Sequence, residues 1–264
     1  MSAFLPDTFL VADVVPSPNH DERAKGRAVD MILLHYTGMQ NGDAALKRLC
    51  AADSKVSAHY LVFEDGRIVQ CVPEARRAWH AGISSWDGET DINSSSIGIE
   101  VVNPGHEFGY PDFPMRQMAA VISLCRSIIT RRGPISPTRV LAHSDVAPAR
   151  KQDPGEKFPW ELLSDSRIGH WVRPAPLNIE GPVLKLGDSS DLVMRVQRAL
   201  RDYGYGIEET GNYDDTMRAV ITAFQRHFRP ARIDGIADAS TILTLRALLQ
   251  TRPEPLKAVA EASS

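Results

Sequence analysis

Residues 138–155 read "TRVLAHSDVAPARKQDPG", and the fold turns on how this stretch is read. Its first six residues, "TRVLAH", are short, largely apolar and rich in strand formers, the pattern of a buried strand. They run into a segment that carries an imidazole, His143, and a carboxylate, Asp153. Pro148 and Pro154 lack the N–H that a helix interior needs, and Gly155 loosens the far end, so 143–155 is expected to be a loop. A strand that ends in a proline-fixed loop bearing His and Asp points to a sheet domain with chemistry at its strand ends.

The flanking sequence supports that reading. "VDMILLHY" (29–36) is a second apolar strand, and it too closes on a histidine, His35. "SAHYLVF" and "RIVQCV" flank Glu64-Asp65-Gly66, and Asp-Gly between strand-like runs is a hairpin signal. "SIGIEVV" (96–102) is a further strand. Between it and residue 138, Met118, Val121, Ile122, Cys125, Ile128 and Ile129 recur at helical spacing, with Pro114 before and Gly133-Pro134 after as helix punctuation. The fold expected is α/β, a mixed central β-sheet flanked by helices, over residues 1–170.

Residues 171–183 hold three prolines without periodicity and read as a linker. Beyond it the period becomes helical: Val193, Val196, Leu200 and Tyr203 form one stripe. Met217, Val220, Ile221, Phe224 and Phe228 form another, and Ile242, Leu245 and Leu249 a third. "GNYDDTMRAV" and "DGIADASTIL" repeat loosely, each with Asp and Thr where a helix starts. A small three-helix domain is expected over 184–250, with a frayed tail over 251–264.

With 264 residues and a net charge of −3, the chain has room for two cores and no general pull toward nucleic acid. Cys50, Cys71 and Cys125 are too scattered for a disulfide framework or a zinc-thiolate site, and are expected to be small buried apolar residues. No stretch reaches the ~20 apolar residues of a membrane span. The N-terminal "MSAFLPDTFLVADVV" lacks a basic leader, so the chain reads as cytosolic or as an exported chain whose leader has been removed.

One histidine at a strand end is commonly structural. Two of them, with Asp153 in a rigid loop after the second, make up a two-histidine, one-carboxylate set with a fourth position open, the ligand type of catalytic zinc. Glu100 is the other anomaly. An inner-strand carboxylate costs several kcal/mol of desolvation unless it is paired or used, and the use in question is that of a general base. An outward face on a one-sided sheet is the plainer alternative. Lys151 could stabilise a developing oxyanion, although "PARK" also reads as a solvated basic loop.

"LLHYT", "SAHYLV", "AWHAG", "NSSSIGIEVVNPG" and "AHSDVAPARKQDPGEKFPW" together resemble the type-2, zinc-dependent N-acetylmuramoyl-L-alanine amidases, relatives of the peptidoglycan recognition proteins. The resemblance covers about residues 29–165. It implies one zinc per chain on His35, His143 and Asp153, with catalytic support from Glu100 and Lys151. It also implies substrate contacts at Tyr36, Tyr60, Trp79, His80 and Asn93, whereas His59 and His80 match positions that are not ligands. Arg76 and Arg77 could meet the carboxylates of an acidic stem peptide or simply lie on the surface.

Residues 184–249 are similar to the three-helix peptidoglycan-binding modules of wall hydrolases. The expected reaction is hydrolysis of the amide joining the lactyl group of N-acetylmuramic acid to L-alanine. The partners expected are peptidoglycan or muropeptides alone, and the chain is expected to be a monomer. Two alternatives stay open: a recognition protein that binds without cutting, and a cytosolic amidase that recycles anhydro-muropeptides. The wall-binding module favours the cell envelope, and the missing leader the cytoplasm. Because every expected catalytic residue precedes the linker, a chain ending near Pro174 should act by itself on small substrates.

Overall fold

The computed structural model describes residues 4–253. Its strands are β1 (Asp13–Val14), β2 (His20–Glu22), β3 (Met31–Tyr36), β4 (Tyr60–Val62), β5 (Ile68–Gln70), β6 (Arg76–Ala78), β7 (Ser96–Val101) and β8 (Val140–Ala142). Six of them form one mixed sheet in the order β1-β5-β4-β7-β3-β8. Only β4 and β5 in it pair antiparallel, joined at the expected Glu64-Asp65-Gly66 turn, where Phe63 N donates to Arg67 O at 2.9 Å. β2 and β6 make a separate antiparallel pair.

The helices are α1 (Gly42–Cys50), α2 (Ile92–Ser95), α3 (Met115–Arg132), α4 (His143–Val146), α5 (Trp160–Asp165), α6 (Asp191–Tyr203), α7 (Asp215–Phe228) and α8 (Ala239–Gln250). The turn-plus-helix repeats end in side-chain caps: Asp214 accepts from Met217 N at 2.9 Å and Asp238 from Thr241 N at 2.8 Å. α4 corrects the expectation of a loop throughout 143–155. Pro148 bars a helix that passes through it, not a single turn completed before it, and Asp145 closes that turn by accepting from Ala142 N at 2.9 Å.

The alternation of β3 and β7 sorts their side chains onto two faces. Ile32, Leu34, Ile97, Ile99 and Val101 pack with Met118, Val121 and Cys125 of α3. On the other face Met31 and Leu33, with Leu141 of β8, share an apolar cluster with Val193, Leu200 and Phe224 of the helical unit. The two units therefore do not have separate cores. Trp86 of the sheet domain is 1% exposed and meets Tyr203 and Tyr205 edge-on, at centroid distances of 6.1 and 4.9 Å. A Cβ on Gly204, whose φ is +137°, would come within 2.5 Å of the Trp86 ring, so close approach there requires glycine. Residues 171–183 contain no helix or strand, but Trp171 and Val172 pack onto the same cluster. Of the tail expected over 251–264, residues 254–264 lie outside the described residues.

Candidate metal centre

His35 and Glu100 are partners across the parallel β3–β7 pair, so their side chains rise side by side from one face of the sheet. His143 follows the last residue of β8, the other neighbour of β3. Three parallel strands thus deliver three candidate functional side chains at their carboxyl ends, where open α/β sheets form binding crevices. The loop after α4 turns back and brings in Asp153, while Ser144 N donates to Asp153 O at 3.0 Å to fix the return.

His35 Nδ1, His143 Nδ1 and Asp153 Oδ2 lie 2.9 to 3.0 Å from one another, all buried. Tetrahedral zinc with bonds of about 2.0–2.1 Å sets its donors ~3.3 Å apart, so the cluster needs only a few tenths of an ångström to open. The far nitrogens settle the tautomers. His143 Nε2 donates to Ala81 O at 3.0 Å. His35 Nε2 donates to His80 Nδ1 at 3.1 Å, His80 Nε2 to Ser96 Oγ at 3.2 Å, and Ser96 Oγ to Ile92 O at 2.6 Å. Both rings are left with Nδ1 as the free lone pair, the pattern that suits imidazoles for holding a metal. Burial, with His143 adding, pushes His35 down to about 4, so it is a neutral donor at pH 7. Burial opposes ionisation of Asp153, yet without a metal the His143 and His35 rings beside it, when they carry a proton on Nδ1, hold its carboxyl well below the usual range.

Glu100 lines the groove next to these donors, and its buried Oε2 has no hydrogen-bond partner among the described residues. Burial pushes its carboxyl well above the ordinary value; Asp153 adds to the rise and Lys151 opposes it. The groove holds about 780 Å³, within the range of small-ligand sites, and Tyr36, Trp79 and Lys151 line it as well.

Of the other expected substrate contacts, Tyr60 and Asn93 lie outside the groove lining and His80 lies at its edge. Tyr60 is fully buried on the face of the sheet opposite Glu100, because Leu61 is the residue paired with Glu100. Its hydroxyl donates to Glu74 Oε1 at 2.6 Å, not into the groove. Asn93 is buried and turned inward, its Oδ1 accepting from His80 N at 3.1 Å and Ala81 N at 2.8 Å. His80 touches the groove but spends both ring nitrogens behind His35. Arg76 and Arg77 pair with Glu22 and Asp21 across β2–β6, and Arg77 also with Asp91 just before α2, outside the groove lining. His59 accepts from Gly98 N at 3.0 Å and donates to Arg76 O at 3.0 Å, and burial beside Arg23 pushes it down to about 3. With both nitrogens used, it offers nothing to a metal. The place of His80 had one sequence signal, Gly98 inside a strand. A Cβ there would stand 2.5 Å from the His80 ring.

Residues 25–156 match the family model described as N-acetylmuramoyl-L-alanine amidase, and residues 189–245 the one described as putative peptidoglycan binding domain. The chain is 38% identical over 238 residues to N-acetylmuramoyl-L-alanine amidase AmiD of Escherichia coli K12, covering 84% of this chain and 83% of that one. It is 36% identical to 1,6-anhydro-N-acetylmuramyl-L-alanine amidase AmpD of Citrobacter freundii, over 55% of this chain and 84% of that protein. Among solved structures, it superposes with a TM-score of 0.71 and 36% identity on E. coli AmiD in complex with the substrate anhydro-N-acetylmuramic acid-L-Ala-D-gamma-Glu-L-Lys, covering 87% of this chain and 92% of that one.

Proposed function

The chain belongs to the N-acetylmuramoyl-L-alanine amidase family, and on that premise we propose that His35, His143 and Asp153 hold one zinc ion while Glu100 and Lys151 carry the proton and charge of the reaction. The enzyme hydrolyses the amide between the lactyl group of N-acetylmuramic acid and the L-alanine of the stem peptide. One observation carries the site assignment: three convergent donors at the ends of adjacent strands, opening on the groove that Glu100 lines.

Zinc held there supplies Lewis-acid polarisation of the scissile carbonyl and lowers the pKa of water. Glu100, with an unpaired oxygen and a pKa raised by burial, takes the proton of the attacking water. It returns that proton to the L-alanine nitrogen as the C–N bond breaks, so one carboxyl serves as base and then acid. The Lys151 ammonium stabilises the negative charge that develops on the carbonyl oxygen. Trp79 offers a flat apolar wall to a sugar ring, and Tyr36 also lines the groove.

The division into a catalytic domain (1–170), linker (171–183), wall-binding domain (184–250) and tail (251–264) is also proposed, supported by the aperiodic, proline-containing stretch at 171–183 and the helical period beyond it. The wall-binding match supports work in the cell envelope, and no helix among the described residues is long and apolar enough to cross a membrane. The groove is built within one chain, which supports a monomeric enzyme.

Mass spectrometry of products from a soluble anhydro-muropeptide and from intact sacculi tests the reading. Free stem peptide beginning at L-alanine is expected from both; anhydro-muropeptide and sacculi left intact by zinc-loaded protein would overturn it. Cleavage of the soluble substrate alone would instead favour a recycling role. Glu100→Gln is expected to retain zinc and muropeptide affinity while turnover falls by ~100-fold or more, the usual contribution of an acid–base group. Turnover at the parent rate would make Glu100 structural.

A further inference from the structure

Two of the three donors, His143 and Asp153, border one short segment, and the residue buried between them is held by the helical unit. Asp145 is fully buried. Its Oδ2 accepts from Ala142 N, closing the turn that presents His143, and also from His227 Nδ1 at 2.7 Å. Its Oδ1 accepts from the Tyr205 hydroxyl at 2.7 Å. Tyr205 follows α6 and His227 lies in α7, so both side-chain donors to this carboxylate come from the unit matched as a peptidoglycan-binding domain.

The His227 ring is itself fixed, stacked on Trp160 at 3.8 Å between centroids and on Phe228 at 3.8 Å. Its neighbour Arg226 reaches toward the other end of the same segment, 3.8 Å from Glu156. Glu156 accepts from His106 Nε2 at 3.1 Å, and His106 Nδ1 meets the Tyr36 hydroxyl of the groove at 3.0 Å. α7 therefore backs the donor segment just after His143 and just after Asp153.

Simple interface adhesion would place such buried charge anywhere along the contact. Here it falls on the turn that aims a metal donor, and the same carboxylate oxygen serves the turn and α7. We propose that the helical unit is part of the metal centre, with Tyr205 and His227 acting through Asp145 as positioning residues for His143. This rests on the assignment of His35, His143 and Asp153 as zinc donors. Partners in direct contact with metal ligands commonly change affinity by about 10–100-fold, and Tyr205 and His227, which reach His143 only through Asp145, are expected at the lower end of that range.

The test uses the full chain, with zinc affinity measured by competition against a chromophoric chelator and folding by near-UV circular dichroism. Tyr205→Phe deletes one hydroxyl and keeps the ring on Trp86; zinc affinity is expected to fall by about tenfold. His227→Phe keeps the stacking and loses the donor, with an equal or larger loss expected. His227→Asn restores an N–H where Nδ1 stood and should recover most of it. Arg252→Ala loosens the same interface, where Arg252 lies 3.7 Å from Asp87 and meets Asp202 O but bonds neither Asp145 nor His227, and should leave zinc affinity unchanged.

Affinity within twofold of the parent in folded Tyr205→Phe and His227→Phe proteins would overturn the proposal, as would an equal loss in Arg252→Ala. A parent protein that binds no zinc would overturn the ligand assignment with it, whereas a zinc-binding parent with indifferent variants would remove this inference alone.

Discussion

His35→Ala and Asp153→Ala proteins are expected to lose zinc and hydrolysis together, while His59→Ala keeps both. The three donors lie within 3.0 Å of one another, so each faces the same point, and removing one leaves two donors for an ion that needs three from the protein. Polarisation by the metal is worth several kcal/mol in the transition state, and each 1.4 kcal/mol is tenfold, so a fall of ~1,000-fold or more follows. His59 sits behind the site with both nitrogens engaged by Gly98 and Arg76. Its loss leaves those buried partners unpaired, a stability cost of about 1–3 kcal/mol each, without touching the donor set. Elemental analysis of the purified variants decides the matter. One zinc per chain in the His35→Ala protein, or none in His59→Ala protein that melts as a folded chain, would refute the assignment.

Much of this site was legible in the sequence because strands end where their apolar run ends. His35 and His143 each close such a run, and parallel pairing of adjacent strands brings those ends together whatever the separation along the chain. Glu100 was legible as a carboxylate among Ile99 and Val101. Tyr60 was misread because a substrate contact needs the correct face as well as the correct neighbourhood, and its parity relative to Glu100 follows only from the β4–β7 register. Asn93 and His80 show a related limit: a polar side chain next to a site can face the substrate or prop up the wall, and only its hydrogen-bond partners distinguish the two. The helical stripes were read correctly as buried faces. A stripe does not say what covers it, and part of the cover turned out to be the sheet domain itself.

That shared cover reverses the expectation for a chain cut near Pro174. Such a chain keeps every proposed catalytic residue but strips the helical unit from Met31, Leu33, Trp86, Leu141 and Val146, each no more than 1% exposed in the whole protein. Exposing a large apolar side chain costs roughly 1.5–3 kcal/mol, so partial exposure of these five alone approaches the ~5–15 kcal/mol by which folded domains are stable. Asp145 also loses Tyr205 and His227, and only the Ala142 N–H remains to it. The shortened chain is therefore expected to lose its cooperative thermal transition and near-UV signal, and with them turnover of even a small soluble muropeptide. AmpD-type relatives align over little more than half of this chain, so the requirement lies in these covered residues and not in the sheet fold as such. Replacing Leu33, Trp86 and Leu141 by polar residues in the shortened chain is accordingly expected to recover solubility before activity, because the His143 turn still lacks its backing. A chain ending at Pro174 that melts cooperatively and turns over within twofold of the full protein would show that the two units fold independently despite their common core.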